Sequence, residues 1–255
     1  MTLHKPTTRV IDILEIVSKN SEKLTFSEIA KLLDIPKSTL SPILKTLVEL
    51  ELITLNPLSQ TYTIGLTSFQ IGQAYLKNIN GLDIIKSHMT IITNLCNETC
   101  QLGINHNNEV LYLMKVESPH PIKLMSSIGR NLPLYCTGLG RVLLCNYTSS
   151  QIRKLYSKPL MKFTEKTIVD VEKLVEIVEN AKKNGYAKEI AEVTNDACCI
   201  AVPIVINGKI QAALGISFPI FKANDEYLDK LITILQEHSE LIKNEFTSLN
   251  ISSIV

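Results

Sequence analysis

A short segment of the chain concentrates side chains that can donate hydrogen bonds or carry positive charge. The segment KSTLSPILKTL, residues 37–47, intersperses Lys, Ser and Thr with apolar residues at helical spacing, and no acidic residue lies between Asp34 and Glu49. Base edges and phosphates of DNA accept hydrogen bonds and attract cations, so the pattern predicts a helix that enters a major groove. The candidate DNA-contacting residues are Lys37, Ser38, Thr39, Ser41, Lys45 and Thr46.

The elements around this segment predict a winged helix-turn-helix. Thr25 and Glu28 have the spacing of a capping box at the start of one helix, and Asp34-Ile35-Pro36 separates that helix from the next. The apolar period then changes from 3.6 to 2 on both sides of a turn-rich loop at residues 56–60, which predicts a hairpin. A preceding helix over residues 7–20 would complete a three-helix core.

The charge of this predicted domain gives no support for DNA binding. Residues 1–65 hold seven Lys and Arg side chains and seven Asp and Glu side chains, a net charge of zero. DNA-binding domains usually carry a basic patch. Affinity for DNA would therefore depend on where the cations lie and on dimerisation.

The bulk composition is that of an ordinary globular protein. The chain has 255 residues, of which 45% are hydrophobic and 20% charged. It has no apolar run of about 18 residues and no signal-peptide pattern near the N-terminus, so we expect a cytoplasmic protein with no membrane contact. The six cysteines form no C-x-x-C pair; Cys198 and Cys199 are expected to be buried thiols, and a zinc site has no support.

The remainder of the chain predicts an α/β (α+β) domain with a mainly antiparallel sheet. A linker helix over residues 66–77 separates it from the first domain, which gives a predicted organisation of 1–65, 66–80 and 81–255. Strands joined by tight turns, such as Asn207-Gly208, favour antiparallel pairing with one face covered by helices. The predicted helices are 83–97, 138–146, 149–157, 166–184 and 225–249, and the predicted strands are 99–105, 109–116, 122–126, 198–206 and 209–218.

The order of these segments resembles the IclR-type transcriptional regulators. The resemblance rests on KSTLSPILKTL, YTIG, LPLYCTGLGRVLLC and CIAVPIVINGKIQAALGISFP, and it covers nearly the whole chain. It implies a winged helix-turn-helix joined by a linker helix to an effector-binding domain with a GAF-like sheet. It also implies a homodimer or homotetramer on a pseudopalindromic double-stranded DNA operator, and a small-molecule effector, often a carboxylate. The effector-binding positions implied by the resemblance are Leu132, Gly138, Leu139, Glu189, Cys199, Gly215 and Ser217.

The residue types at these positions suit a small anion. Gly138-Leu139-Gly140 before a helix would leave backbone N–H groups free at its positive end, and Ser217 can donate a hydroxyl hydrogen bond. The alternative is that the glycines only permit a tight turn and that Cys199 belongs to the core.

Three departures from the family pattern qualify the resemblance. Many relatives have arginine where this chain has Pro42, and proline there should kink or shorten the recognition helix. The stretch 191–197 has fewer acidic residues than are common in relatives and no glycine, so the chemistry of the effector is expected to differ. Phe218 replaces a glycine, and its ring is expected near the mouth of the effector pocket.

Two other functions stay open. The chain has no G-x-S-x-G, H-E-x-x-H or P-loop motif, and a catalytic Cys136 or Cys199 would need a histidine partner that the sequence does not place. A ligand-binding module whose helix-turn-helix has lost affinity for DNA would fit Pro42 and the neutral charge. The favoured interpretation is a DNA-binding regulator without a cofactor, a repressor rather than an activator, whose operator affinity an effector modulates.

Overall fold

The chain folds into two compact units, Met1–Ile79 and Asn80–Val255. The computed structural model describes residues 3–20, 23–77, 81–120 and 127–254, so the predicted strand at 122–126 lies outside the described residues. None of the helices in those ranges is both long enough and apolar enough to cross a bilayer.

The first unit combines helices with a small antiparallel sheet, as predicted. Thr25 starts the second helix with a complete capping box: its backbone N–H donates to the Glu28 carboxylate at 2.7 Å, and its hydroxyl accepts the Glu28 N–H at 3.4 Å. Within the described residues the strand order is β1-β3-β2. The elements are α1 (Lys5–Lys19), β1 (Leu24–Thr25), α2 (Phe26–Leu32), α3 (Lys37–Glu49), β2 (Ile53–Asn56), β3 (Thr61–Ile64) and α4 (Leu66–Lys77).

The helix α3 runs unbroken through Pro42, so the expected shortening is not observed. Pro42 is exposed, whereas Leu40, Leu44 and Leu47 are buried against the rest of the unit. Proline removes one N–H that would bond to the carbonyl of Ser38. We infer that the packing of the leucine face offsets this loss.

The second unit is built around a larger antiparallel sheet. In the described part of this unit, the six strands follow the order β6-β5-β4-β9-β8-β7, and every neighbouring pair is antiparallel. Asn207 and Gly208 both adopt positive φ, as the predicted hairpin turn requires. The elements are α5 (Leu82–Cys96), β4 (Thr99–His106), β5 (Glu109–Val116), β6 (Asn131–Pro133), α6 (Gly138–Leu144), α7 (Ser149–Leu155), α8 (Val171–Asn184), β7 (Ala187–Ile190), β8 (Ala197–Ile206), β9 (Lys209–Pro219) and α9 (Asp225–Ser248).

The prediction that helices cover only one face of the sheet is wrong. The helix α6 packs on one face together with Ala201 and Ala213, and α9 packs on the other. Successive strand residues point to opposite faces, so Phe218 lies against Tyr227 of α9, with ring centroids 5.7 Å apart. Its ring is fully buried there. The expectation that Phe218 lies near the pocket mouth is therefore wrong as well.

The helices α5 and α9 also contact each other through a buried pair of histidines. The Nδ1 atoms of His88 and His238 are 2.8 Å apart, and His88 Nε2 lies 2.9 Å from a carboxylate oxygen of Glu245. One of the two Nδ1 atoms must donate and the other must accept, so a single proton lies between them.

One helix boundary in the second unit differs from its prediction by more than two residues. The helix α8 begins at Val171 and not at residue 166, because the Asp170 side chain accepts the Lys173 N–H at 3.0 Å and caps the helix there. Its C-terminal end is as predicted: Gly185 adopts the left-handed conformation that closes the helix.

Candidate functional site

The outer face of α3 carries the side chains predicted to contact DNA. Lys37, Ser38, Ser41, Lys45 and Thr46 are exposed and Thr39 is half-buried. The opposite face is the buried leucine face. The whole predicted set is therefore accessible on one element, although the Thr46 hydroxyl donates to the Pro42 carbonyl at 2.9 Å.

The N-terminal end of α3 lacks a side-chain cap. Pro36 occupies the N-cap position, makes no side-chain cap hydrogen bond, and has no acidic residue in the turn that follows. Uncapped backbone N–H groups at a helix N-terminus can bind a phosphate, and the adjacent Lys37 adds a positive charge.

The hairpin formed by β2 and β3 has a rigid tip. The Asn56 side chain accepts the N–H groups of Leu58 and Ser59, at 2.9 and 3.1 Å. The Leu58 side chain is 95% exposed. The tip therefore projects an exposed apolar side chain and no cation, since its residues are Asn56, Pro57, Leu58, Ser59 and Gln60.

In the second unit, the strand register brings three predicted effector residues into one row. Glu189 on β7 pairs with Cys199 on β8, and Cys199 pairs with Ser217 on β9. Directly opposed residues in antiparallel strands point to the same face. The row lies on the face that α6 covers, because a Cβ built on Gly138 of α6 would lie 3.1 Å from the Cys199 sulfur.

A cavity of about 80 Å³ opens over this row. Five predicted residues line it: Leu132, Gly138, Glu189, Cys199 and Ser217. Leu139 and Gly215, the other two predicted effector residues, do not line the cavity.

Leu139 and Gly215 lie behind the cavity, in the core. Leu139 is fully buried, and a Cβ on Gly215 would lie 3.2 Å from its side chain. Because Gly215 has no side chain, Leu139 packs directly on β9 and α6 lies close to the sheet.

The cavity is also lined by residues that the sequence interpretation missed. Gln101 on β4 is buried and accepts a hydrogen bond from the Ser217 hydroxyl at 3.2 Å. A glutamine flanked by Cys100 and Leu102 in a predicted strand was the signal that could have revealed it. The remaining lining residues are Tyr112, Thr137, Val193, Thr194, Ala197 and Cys198.

The start of α6 offers fewer free donors than the sequence predicted. The Gly140 N–H donates to the Thr137 hydroxyl at 3.1 Å, which caps the helix. The helix has only seven residues, so its dipole adds little.

Glu189 is the buried carboxyl group of this cavity, with 5% of the residue exposed. The pKa of Glu189 is raised to about 7, chiefly by burial and also by the neighbouring Glu192 carboxylate, against the opposing effects of Arg141 and of the backbone N–H groups of Glu192 and Val193. The Glu192 N–H donates to Glu189 Oε1 at 2.5 Å. Near neutral pH this group is therefore poised between its protonated and ionised forms.

A buried ion pair between Arg141 and Glu192 holds the loop after β7, which supplies the Glu192 N–H that donates to Glu189. Arg141, 2% exposed, donates to the Glu192 carboxylate at 2.6 Å and to the Lys188 carbonyl at 2.7 Å. The same carboxylate oxygen accepts the Ile168 N–H at 3.0 Å. Arg141 thus fixes the end of β7 and the following loop against α6, and sets the position of Glu189.

The cysteines near the cavity are poor nucleophiles. Burial raises the pKa of Cys199 and of Cys136 to about 12 in each case, with Glu189 adding to both shifts. Thiols in that state are protonated at neutral pH and react slowly. Among the described residues, no three His, Cys, Asp or Glu side chains are placed to hold a metal ion.

Comparison with known protein families identifies the family of this chain. Residues 6–57 match the IclR helix-turn-helix domain, and residues 73–244 match the family described as bacterial transcriptional regulator IclR C-terminal. The chain belongs to the IclR family. It is a helix-turn-helix transcriptional regulator with a DNA-binding domain and an effector-binding domain, and not an enzyme.

Similar proteins span both domains. The chain is 28% identical over 229 residues to the transcriptional regulator KdgR of Escherichia coli K12, covering 89% of this chain and 87% of that protein. It is also 28% identical over 220 residues to the transcriptional repressor AllR of the same strain, covering 86% and 81%. An IclR homologue from Microbacterium hydrocarbonoxydans, solved in complex with 4-hydroxybenzoate, has the same fold, with a TM-score of 0.81, 23% identity and coverage of 95% and 99%.

Proposed function

We propose that this IclR-family regulator is a cytoplasmic repressor that dimerises on a pseudopalindromic operator and changes its affinity for that operator when a small carboxylate binds. One observation carries the proposal: α3 presents an uncapped N-terminus and an exposed, acid-free polar face. Phosphates and base edges are the natural partners of such a surface.

The proposed contacts divide by chemistry. Lys37 and Lys45 would neutralise phosphates and the free N–H groups at the start of α3 would donate hydrogen bonds to them, which contributes affinity without sequence preference. Ser38, Thr39, Ser41 and Thr46 would hydrogen bond to bases or nearby phosphates. Repression is supported by the name of one relative, the repressor AllR.

Dimerisation is supported by the linker helix. Leu66, Phe69, Ile71 and Tyr75 on α4 are each between 45% and 62% exposed, which is unusual for apolar side chains on one short helix. A domain with no net charge would also need two recognition helices to bind an operator tightly.

We propose residues 1–65 as the DNA-binding domain, 66–80 as the linker helix, and 81–255 as the effector-binding and oligomerisation domain.

The effector is proposed to bind in the cavity over Glu189, Cys199 and Ser217. Its volume of about 80 Å³ is roughly half of the ~150 Å³ that accommodates benzene in an engineered cavity. A carboxylic acid of two to four carbons is therefore a better match than an aromatic acid. Leu132 and Gly138 complete the proposed binding residues, with Leu139 and Gly215 supporting them from behind.

Gel-shift titration against DNA upstream of the protein's own gene tests the proposal. We expect sequence-preferring binding that weakens steeply with salt, and a change in affinity when short carboxylic acids are added. Sedimentation of wild type and of Phe69→Ser tests the dimer, because removing the exposed ring should weaken self-association without unfolding the domain.

The outcomes separate the candidate functions. Binding that is salt-sensitive but shows no sequence preference would leave only electrostatic attraction to DNA and would contradict the operator proposal. Absence of any binding would favour a ligand-binding module that has lost its DNA affinity. A wild-type protein that sediments as a monomer would contradict the proposed dimer.

A further inference from the structure

The proposed effector and the cavity carry charge of the same sign. Glu189 is a buried carboxyl group in the cavity wall, and the described residues that line the cavity include no Lys or Arg. Two carboxylates in contact inside a protein repel each other strongly and cannot both stay ionised. An anionic effector would therefore meet a like charge unless Glu189 is neutral.

The nearby arginine does not resolve this conflict. Arg141 already donates to the Glu192 carboxylate at 2.6 Å, and its remaining bonds go to the backbone carbonyls of Tyr135 and Lys188. Its charge is thus matched by Glu192. Glu189 interacts with the backbone N–H groups of Glu192 and Val193, and faces the cavity with no ion-pair partner of its own among the described residues.

The other groups that influence Glu189 supply no fixed positive charge. The thiols of Cys136, Cys198 and Cys199 interact electrostatically with it, and so does the Tyr112 hydroxyl. All four have pKa values raised by burial, so they are neutral at physiological pH. Arg130 acts on the Tyr112 hydroxyl but is itself exposed to solvent.

We propose that an anionic effector binds this cavity only together with a proton held on Glu189, so that a carboxylic acid–carboxylate hydrogen bond recognises the ligand. This inference rests on the proposed function, since it assumes that a small carboxylate is the effector. The Glu189 hydroxyl donates to the ligand carboxylate, no covalent bond changes, and the complex carries a single negative charge. The free protein supplies the proton at low pH, and solvent supplies it at high pH. Effector affinity is therefore coupled to pH, and Glu189 is the group that couples them.

Calorimetric titration of the full-length protein tests this coupling, with lactate as the probe and lactamide as its neutral counterpart. Measurements run from pH 6 to pH 8.5, each in two buffers of different ionisation enthalpy. Above the Glu189 pKa of about 7, we expect lactate affinity to fall about tenfold per pH unit and proton uptake to approach one per ligand. Lactamide affinity should not follow this trend, because the amide carries no charge.

Two variants isolate the role of Glu189. Glu189→Gln keeps the shape and the oxygen that accepts the Glu192 N–H, offers a neutral donor to the ligand, and should bind lactate with the same affinity across the pH range and without proton uptake. Glu176→Gln, at an exposed position on α8, should behave as wild type does.

Each result bears on one of the two proposals. Lactate binding that is independent of pH in wild type, or proton uptake that persists in Glu189→Gln, overturns the coupling and leaves the effector pocket standing. Failure of lactate to bind wild type and Glu189→Gln at pH 6 contradicts the small-carboxylate pocket itself, and the coupling falls with it.

Discussion

The stability of the effector domain should depend on the ionisation of Glu189, and this can be measured without any ligand. The ordinary pKa of a glutamate is 4.5, and burial raises that of Glu189 to about 7. The folded protein therefore binds more protons than the unfolded chain between these two values. The stability that protonated Glu189 contributes to the fold is fully present below pH 4.5, decreases above that pH, and is lost as the pH rises through about 7.

The magnitude follows from the size of the shift. A shift of about 2.5 pKa units corresponds to about 3 kcal/mol, because each unit is worth about 1.4 kcal/mol. About 2 kcal/mol of this loss falls between pH 5.5 and pH 8. Glu189→Gln cannot ionise, and its amide oxygen can still accept the Glu192 N–H. Relative to wild type, the variant should therefore gain about 2 kcal/mol between these two pH values.

Urea unfolding at pH 5.5 and pH 8, followed by circular dichroism, measures this difference. Hydrogen exchange of peptides from β8 and β9 assigns it to the sheet that carries the cavity, since the two units can unfold separately. Glu176→Gln is the matched control on an exposed helix face. The reasoning is refuted if the free-energy gap between wild type and Glu189→Gln is the same at both pH values.

Three further predictions concern other parts of the molecule. Lys37→Ala should weaken DNA binding on all sequences, while Thr39→Ala should also relax base preference, as gel shifts on operator and mutated operator would measure. Arg141→Met should cost about 3–5 kcal/mol of stability in urea unfolding, because it leaves the Glu192 carboxylate buried without its partner; replacing both residues with Met should recover most of it. Burial and the neighbouring histidine lower the pKa of His238, so acidification below pH 6.5 should remove stability at this residue, opposite in sign to the gain from Glu189; His238→Gln should therefore gain stability relative to wild type between pH 7 and pH 5.5 in thermal unfolding.

Each of these predictions has a result that would contradict it. Equal effects of the two α3 variants on matched and mutated operators would mean that the groove-facing side of the helix is misassigned. A double variant as unstable as Arg141→Met would show that the ion pair is not the source of the loss. For the histidine pair, His120→Gln at an exposed position is the control, and an equal response in both variants would exclude His238 as the titrating group.

Much of the local structure was predictable because it depends on neighbouring residues. The capping box at Thr25, the hairpin turn at Asn207-Gly208 and the left-handed cap at Gly185 each follow from residues within one turn of chain. The strands β6 and β7 were missed, because β6 has only three residues and β7 places the charged Glu189 on its buried face, so neither shows an alternating apolar pattern.

The candidate sites were predictable to different degrees. The residues proposed to contact DNA lie on one helix, so helical spacing alone brings them together. The residues proposed to bind the effector lie on separate elements, and their positions came from the family resemblance. Gln101 lies outside the segments that carry the resemblance, and Arg141 lies within one of them but was not among the implied binding positions; both are buried, Gln101 at the cavity and Arg141 in its support.

The family, the two kinds of domain and the helix proposed to face DNA follow from local periodicity and from motifs in their order along the chain. Tertiary packing sets which face of the sheet each residue occupies, and so places Ser217 in the cavity and Phe218 against α9. It also decided the charge of the cavity. The pKa of Glu189 depends on its burial and on Arg141 and Glu192, and those surroundings exist only when β7 and α6 pack together.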